Sequence, residues 1–161
     1  MNTIEETTKQ AYDQAIRWLA RRSYGEWELQ QRLLQEGVTS GDVAVVCARC
    51  RELGYLDDAA FALSRARHRL QNGHYGPRRV WAELRALQVA ESHIQQALDL
   101  LLEEGDAVQR AATALAKRFG SGEERGESDT TDRRALKKKY DFLSRRGFGD
   151  ETIWQVLNRT R

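Results

Sequence analysis

Apolar residues recur along this chain at helical spacing, separated by charged and polar runs, as expected of amphipathic helices. The clearest series is Leu29, Leu33, Val38 and Val43. Shifted by 51 residues it returns as Val80, Leu84, Val89 and Ile94. The same shift lays Leu19 on Leu70, Tyr24-Gly25 on Tyr75-Gly76, and Gly54 on Gly105. A third, partial copy sets Leu143, Phe148 and Ile153 at the spacing of Leu33, Val38 and Val43, and Asp106 opens it as Asp57 opens the second. The pattern predicts an all-α fold of three tandem three-helix units, residues 1–54, 55–105 and 106–161. Helices are predicted over 8–22, 26–35 and 42–53, then 58–71, 77–87 and 92–103, then 107–119, 133–145 and 151–159. Residues 120–132 contain no apolar side chain and are expected to form a mobile loop. Units in a row imply an elongated, curved body, right-angled or crescent-like.

Helix punctuation agrees with these limits. Ser23 and Glu26 have the spacing of a capping box. Gly76-Pro77 puts proline at a first helical position. Gly37, Gly54, Gly105 and Gly147 follow helical runs, where a left-handed residue closes the last turn. Adjacent Asp57 and Asp58 raise the question of chemistry, since paired carboxylates can hold a metal or move protons. Their setting favours structure. Gly54 ends one helix, Asp57 stands where a carboxylate accepts from free N–H groups of the next, and Asp58 adds negative charge to the positive end. Leu56 and Phe61 occupy the positions of a hydrophobic staple. The pair is therefore expected to mark a hinge between the first two units.

Of the 161 residues, 40% are hydrophobic and 31% charged, with a mean hydropathy of −0.70, so a core can form beneath much wet surface. No apolar run approaches the ~20 residues of a membrane helix. The polar, acidic start does not resemble a secretion signal, and a soluble cytoplasmic protein is expected. A net charge of +2 does not by itself imply nucleic-acid binding. Its distribution is uneven. Residues 61–85 hold six arginines against Glu83, residues 133–146 hold seven Lys/Arg against Asp141, and residues 99–106 carry four acids and no base. Arg65 and Arg69 share a helix face, while Arg67 points elsewhere. Arg78 and Arg79 open a helix, where cations oppose the dipole, which hints at an anionic partner outside. Lys137, Lys138, Lys139, Arg145 and Arg146 form a matching cluster. Trp18 is expected in the core; Trp27 and Trp81 lie beside core positions and are candidates for contact with a partner.

Cys47 and Cys50 form an isolated C-x-x-C, but His68, His74 and His93 lack ligand spacing. The repeat lays the two cysteines on Leu98 and Leu101, so both are expected to be buried apolar residues, with no metal and no cofactor.

Two motifs resemble the RecX family of bacterial regulators: Gly54-Tyr55-Leu56-Asp57-Asp58 followed by Phe61, and Gly76-Pro77 followed by Arg79, Val80, Glu83 and Leu84. Gly73 is separated from Gly76 by His74-Tyr75, where one residue is usual in the family. Leu87-Gln88-Val89 replaces Lys-Gly-Ile, so Gln88 or a neighbour must turn without glycine. The resemblance implies a monomeric, non-enzymatic protein lying in the groove of the RecA–DNA filament. There it inhibits recombinase, ATPase and coprotease activity in recombination, repair and the SOS response. Its contacts would be with RecA protomers and the DNA within the filament. The rival class is a stand-alone DNA-binding protein of helix-turn-helix-like modules. An enzymatic role for Asp57, Asp58 or the cysteines finds no support.

Overall fold

A computed structural model of the chain describes residues 2–103, 107–120 and 129–159. All regular structure among these residues is helical. The helices are α1 (Asn2–Leu19), α2 (Glu26–Gln35), α3 (Ser40–Glu52), α4 (Asp58–Gln71), α5 (Pro77–Ala86), α6 (Glu91–Glu103), α7 (Ala107–Phe119), α8 (Asp129–Arg145) and α9 (Asp150–Arg159). Local chemistry sets their ends. The Thr39 hydroxyl accepts the Asp42 N–H at 3.2 Å, and the Asp57 carboxylate accepts the Ala60 N–H at 2.9 Å. Gly37, Gly54 and Gly147 take left-handed backbone, at φ of 84°, 76° and 88°. Beyond these turns the chain reaches back five residues: Val38 N–H donates to the Leu33 carbonyl, and Phe148 N–H to that of Leu143. The second unit makes the same closure, from Val89 to Leu84, with Gln88 at φ 58° in place of glycine.

Several boundaries differ from expectation. Helix α1 begins earlier and ends at Leu19 rather than at residue 22. Helix α3 starts at Ser40 because Thr39 takes the cap. Helix α8 starts at Asp129, so residues 129–132, read from their polarity as loop, are helical. Gly105, Asp106 and the stretch 121–128 lie outside the described residues. Ser23 does not cap α2. Gly25 is the N-cap, and the free N–H of Glu26 is bound at 2.8 Å by the Asp58 carboxylate, a residue of α4.

The buried side chains separate into three clusters. The first gathers Ala11, Ala15, Trp18, Leu29, Leu33, Val46, Cys47 and Cys50 from α1–α3, with Leu56 beneath them. The second takes Phe61, Ala62, Ala66, Leu70, Val80, Leu84 and Ile94 from α4–α6. The third takes Ala111, Leu115, Leu143, Phe148, Ile153 and Val156 from α7–α9. In each bundle the first and third helices pack most closely, and alanines on the first helix let the backbones approach. Each large buried side chain contributes about 1.5–3 kcal/mol. Leu56 and Phe61 belong to different cores and straddle the junction, so they do not form the staple their spacing suggested.

Candidate interaction surface

Both joints between bundles are built at the start of a second helix. At the first, Asp58 of α4 caps Glu26 of α2. A Cβ on Gly25 would lie 3.0 Å from the Phe61 ring, so the glycine gives the second bundle room to approach. Glu26 also pairs with Arg51 of α3, whose Nε lies 3.0 Å from Oε2.

At the second joint the equivalent glycine, Gly76, meets main chain. Its N–H donates to the Arg146 carbonyl at 2.7 Å, and Arg78 N–H donates to the Gly147 carbonyl at 3.1 Å. A Cβ on Gly76 would lie 2.3 Å from the Gly147 carbonyl carbon, and one on Gly147 2.4 Å from the Arg79 nitrogen. The carbonyl end of α8 thus seats on the N–H end of α5, opposing partial charges in contact. That answers the charge conflict read at Arg78 and Arg79 from inside the molecule. The negative end of α8 faces them, and the Arg79 guanidinium donates to the Arg145 carbonyl at 3.3 Å.

Cations collect around this contact. The guanidiniums of Arg79, Arg146 and Arg69 lie 4.7, 4.9 and 5.7 Å from the centre of the Tyr75 ring, within cation–π range. Arg146 also donates to the Gly73 carbonyl at 2.6 Å. Lys117 Nζ lies 2.6 Å from His74 Nε2. Burial, then the charges of Lys117 and Arg146, hold the His74 pKa below its ordinary value. The sequence signal for this cluster is the repeated Tyr-Gly pair: Tyr24 likewise lies under Arg22, 3.6 Å from its ring centre.

The expected contact residues do not form one class. Arg65 and Arg69 both bind Glu83, at 2.7 and 2.8 Å, so their shared face is turned to an internal acid. Burial works against the Glu83 carboxylate, but hydrogen bonds from Arg69 and Arg65 outweigh it and hold its pKa below the ordinary range. Arg78, Arg79, Lys137, Lys138 and Arg145 are exposed, whereas Lys139 and Arg146 are half-buried. Trp81 is half-buried against the second core, and Trp27 and Trp154 are 36% and 46% exposed. Tyr55 is exposed and Pro77 half-buried.

Cys47 and Cys50 are buried in the first core, and burial pushes the Cys47 thiol up to about 11, so thiolate is scarce near neutral pH. Among the described residues no three of His, Cys, Asp and Glu gather as a metal site, and no helix is long and apolar enough to cross a membrane.

Two family domains match this sequence: the RecX first three-helix domain over residues 11–50 and the RecX second three-helix domain over residues 57–98. The regulatory protein RecX of Acidithiobacillus ferrooxidans is 37% identical over 147 residues, covering 91% of this chain and 88% of the relative. That of Syntrophotalea carbinolica is 30% identical over 151 residues, 94% and 96% of the two chains. The crystal structure of RecX from Lactobacillus salivarius matches with a TM-score of 0.76 over 97% of each chain. At 17% identity that likeness speaks to the fold alone.

Proposed function

Because the chain belongs to the RecX family of regulatory proteins, we propose that it is a non-enzymatic cytoplasmic regulator that binds the RecA–DNA filament as a monomer and inhibits its recombinase, ATPase and coprotease activities. One observation supports this reading above the others. Exposed cations from two bundles, Arg78 and Arg79 on α5 and Lys137, Lys138 and Arg145 on α8, lie on two helices whose ends meet in a joint fixed by main-chain bonds. Their spacing is therefore preset, which lowers the ordering cost of engaging an extended anionic assembly. Bundles in series can touch successive protomers, each contact raising the effective concentration for the next.

Arg78, Lys137 and Lys138 suit the test, because Arg79 and Arg145 also take part in the joint. Arg78→Glu with Lys137→Glu and Lys138→Glu is expected to weaken inhibition of filament ATPase activity at least about tenfold, with helical content unchanged. Full inhibition at the wild-type concentration would refute the proposal. Co-sedimentation with bare single-stranded DNA and with RecA–DNA filaments separates the rival. Equal binding to both, with a steep salt dependence, would favour a stand-alone DNA-binding protein.

A further inference from the structure

The three bundles share one groove, between the second and third helices, and treat it in three ways. The register is secure because the helix closures coincide: Val38 to Leu33, Val89 to Leu84 and Phe148 to Leu143. In the first bundle Glu26 and Arg51 bridge the groove as an ion pair. In the third, Tyr140 and Trp154 fill it as an aromatic pair with ring centres 5.5 Å apart. In the second, the counterparts of Glu26 and Arg51 are Pro77 and Leu102, which cannot bridge. The counterparts of Tyr140 and Trp154 are Trp81 and Gln95, so one half of the aromatic pair is missing. What results is a cleft of about 340 Å³ lined by Pro77, Arg78, Trp81, Gln95, Leu98 and Leu102.

We propose that this cleft is a docking site for a peptide segment of a partner protein that presents an aromatic side chain next to a carboxylate. The third bundle supplies the template for the aromatic group: a ring laid against Trp81, over Leu98 and Leu102, restores the pair seen at Tyr140 and Trp154. Arg78 supplies the charge. It is exposed and lines the cleft; one guanidinium nitrogen lies 3.8 Å from where a Cβ on Gly149 would sit, and no carboxylate among the described residues forms an ion pair with it. Gln95 donates to Asp99 at 2.7 Å, so an exposed acid stands one helical turn beyond this lining residue. That acid disfavours a phosphodiester strand and leaves room for one carboxylate, held on the Arg78 side. The pairing is the usual one for an interface anchor, an apolar ring in a pocket with a charged contact at its edge.

The first bundle also provides the control. Pro77→Glu with Leu102→Arg rebuilds the ion pair that bridges the groove there. Isotope-labelled protein is titrated with the peptide acetyl-Gly-Asp-Phe-Gly-amide, with its Phe→Ser counterpart, and with oligo(dT), and followed by NMR. The phenylalanine peptide is expected to shift the Trp81 indole and the Leu98 and Leu102 methyl signals. Binding should weaken at least about tenfold for the serine peptide and for the double variant. Trp81→Gln, the residue of the first bundle, gives the same loss without adding charge, and melting curves check that both variants fold. No shift at these three residues at millimolar peptide, or unaltered binding by both folded variants, overturns the proposal. So does a response there to oligo(dT) alone. The readout involves no filament, so it stands or falls apart from the filament assays.

Discussion

Asp57 and Asp58 are neighbours with separate duties. Asp57 caps its own helix through Ala60, while Asp58 caps Glu26 of another bundle, 32 residues away in sequence. Asp57→Ala is expected to cost about 1 kcal/mol, and Asp57→Asn less, since the amide oxygen still accepts. Asp58→Ala is expected to cost about the same, but at a different place. Amide exchange should accelerate at Glu26 in the Asp58 variant and at Ala60 in the Asp57 variant. Unchanged exchange at Glu26 on losing Asp58 would remove the cross-bundle cap. The Asp57 cap was legible because Gly54 before it and an apolar run after it fix a helix start. The Asp58 role was not: its partner is remote, and Ser23 offered a nearer but unused cap. The buried cysteines were legible only through their repeat partners, Leu98 and Leu101.

At the scale of elements, the end-to-end seating of α8 on α5 explains why two glycines occur where they do. Gly37 and Gly147 hold the same left-handed turn, but a Cβ at Gly37 meets nothing within 4 Å, while one at Gly147 meets the Arg79 main chain. Gly37→Ala should therefore cost about 1 kcal/mol, the backbone penalty alone. Gly147→Ala should cost on the order of 2–4 kcal/mol, with overpacking added. Denaturant melts of the two variants measure the difference, and equal losses would mean that the joint yields freely. The limits of α2, α4 and α7 could be read residue for residue, from the apolar series in all three and, at α4, from the Asp57 cap as well. The start of α8 could not, because residues 129–132 bear no apolar side chain to mark a face. Nor could the acceptors beneath Arg78 and Arg79, which are main-chain carbonyls from 66 or more residues further along the chain.

Over the whole molecule, the three cores are joined in series, and the second joint carries a surplus of positive charge. Arg69, Arg79, Arg146 and Lys117 surround Tyr75 and His74, with Glu83 as the acid bound to Arg69. Adding a proton to His74 sets it against Lys117 and Arg146. Its folded pKa is depressed, so the unfolded chain binds the proton more readily; stability is full above the ordinary value of 6.5 and is lost as pH falls through the folded value. Amide protection factors at residues 76, 78, 79 and 146–148, taken relative to the intrinsic exchange rate at each pH, should fall on acidification below about pH 6.5. His74→Asn, which tolerates the φ of 49°, should flatten that response. A pH response unchanged in the variant would assign it elsewhere. The glycine at the start of α2 and of α5 has a further consequence, for how such a chain grows. Gly25 and Gly76 are one position in two copies, and each receives the bundle that follows it. A duplicated bundle thus arrives with its socket already made. Only the plug must be invented, and this chain holds two inventions: an aspartate with a phenylalanine beside it, and the bare carbonyl end of a helix.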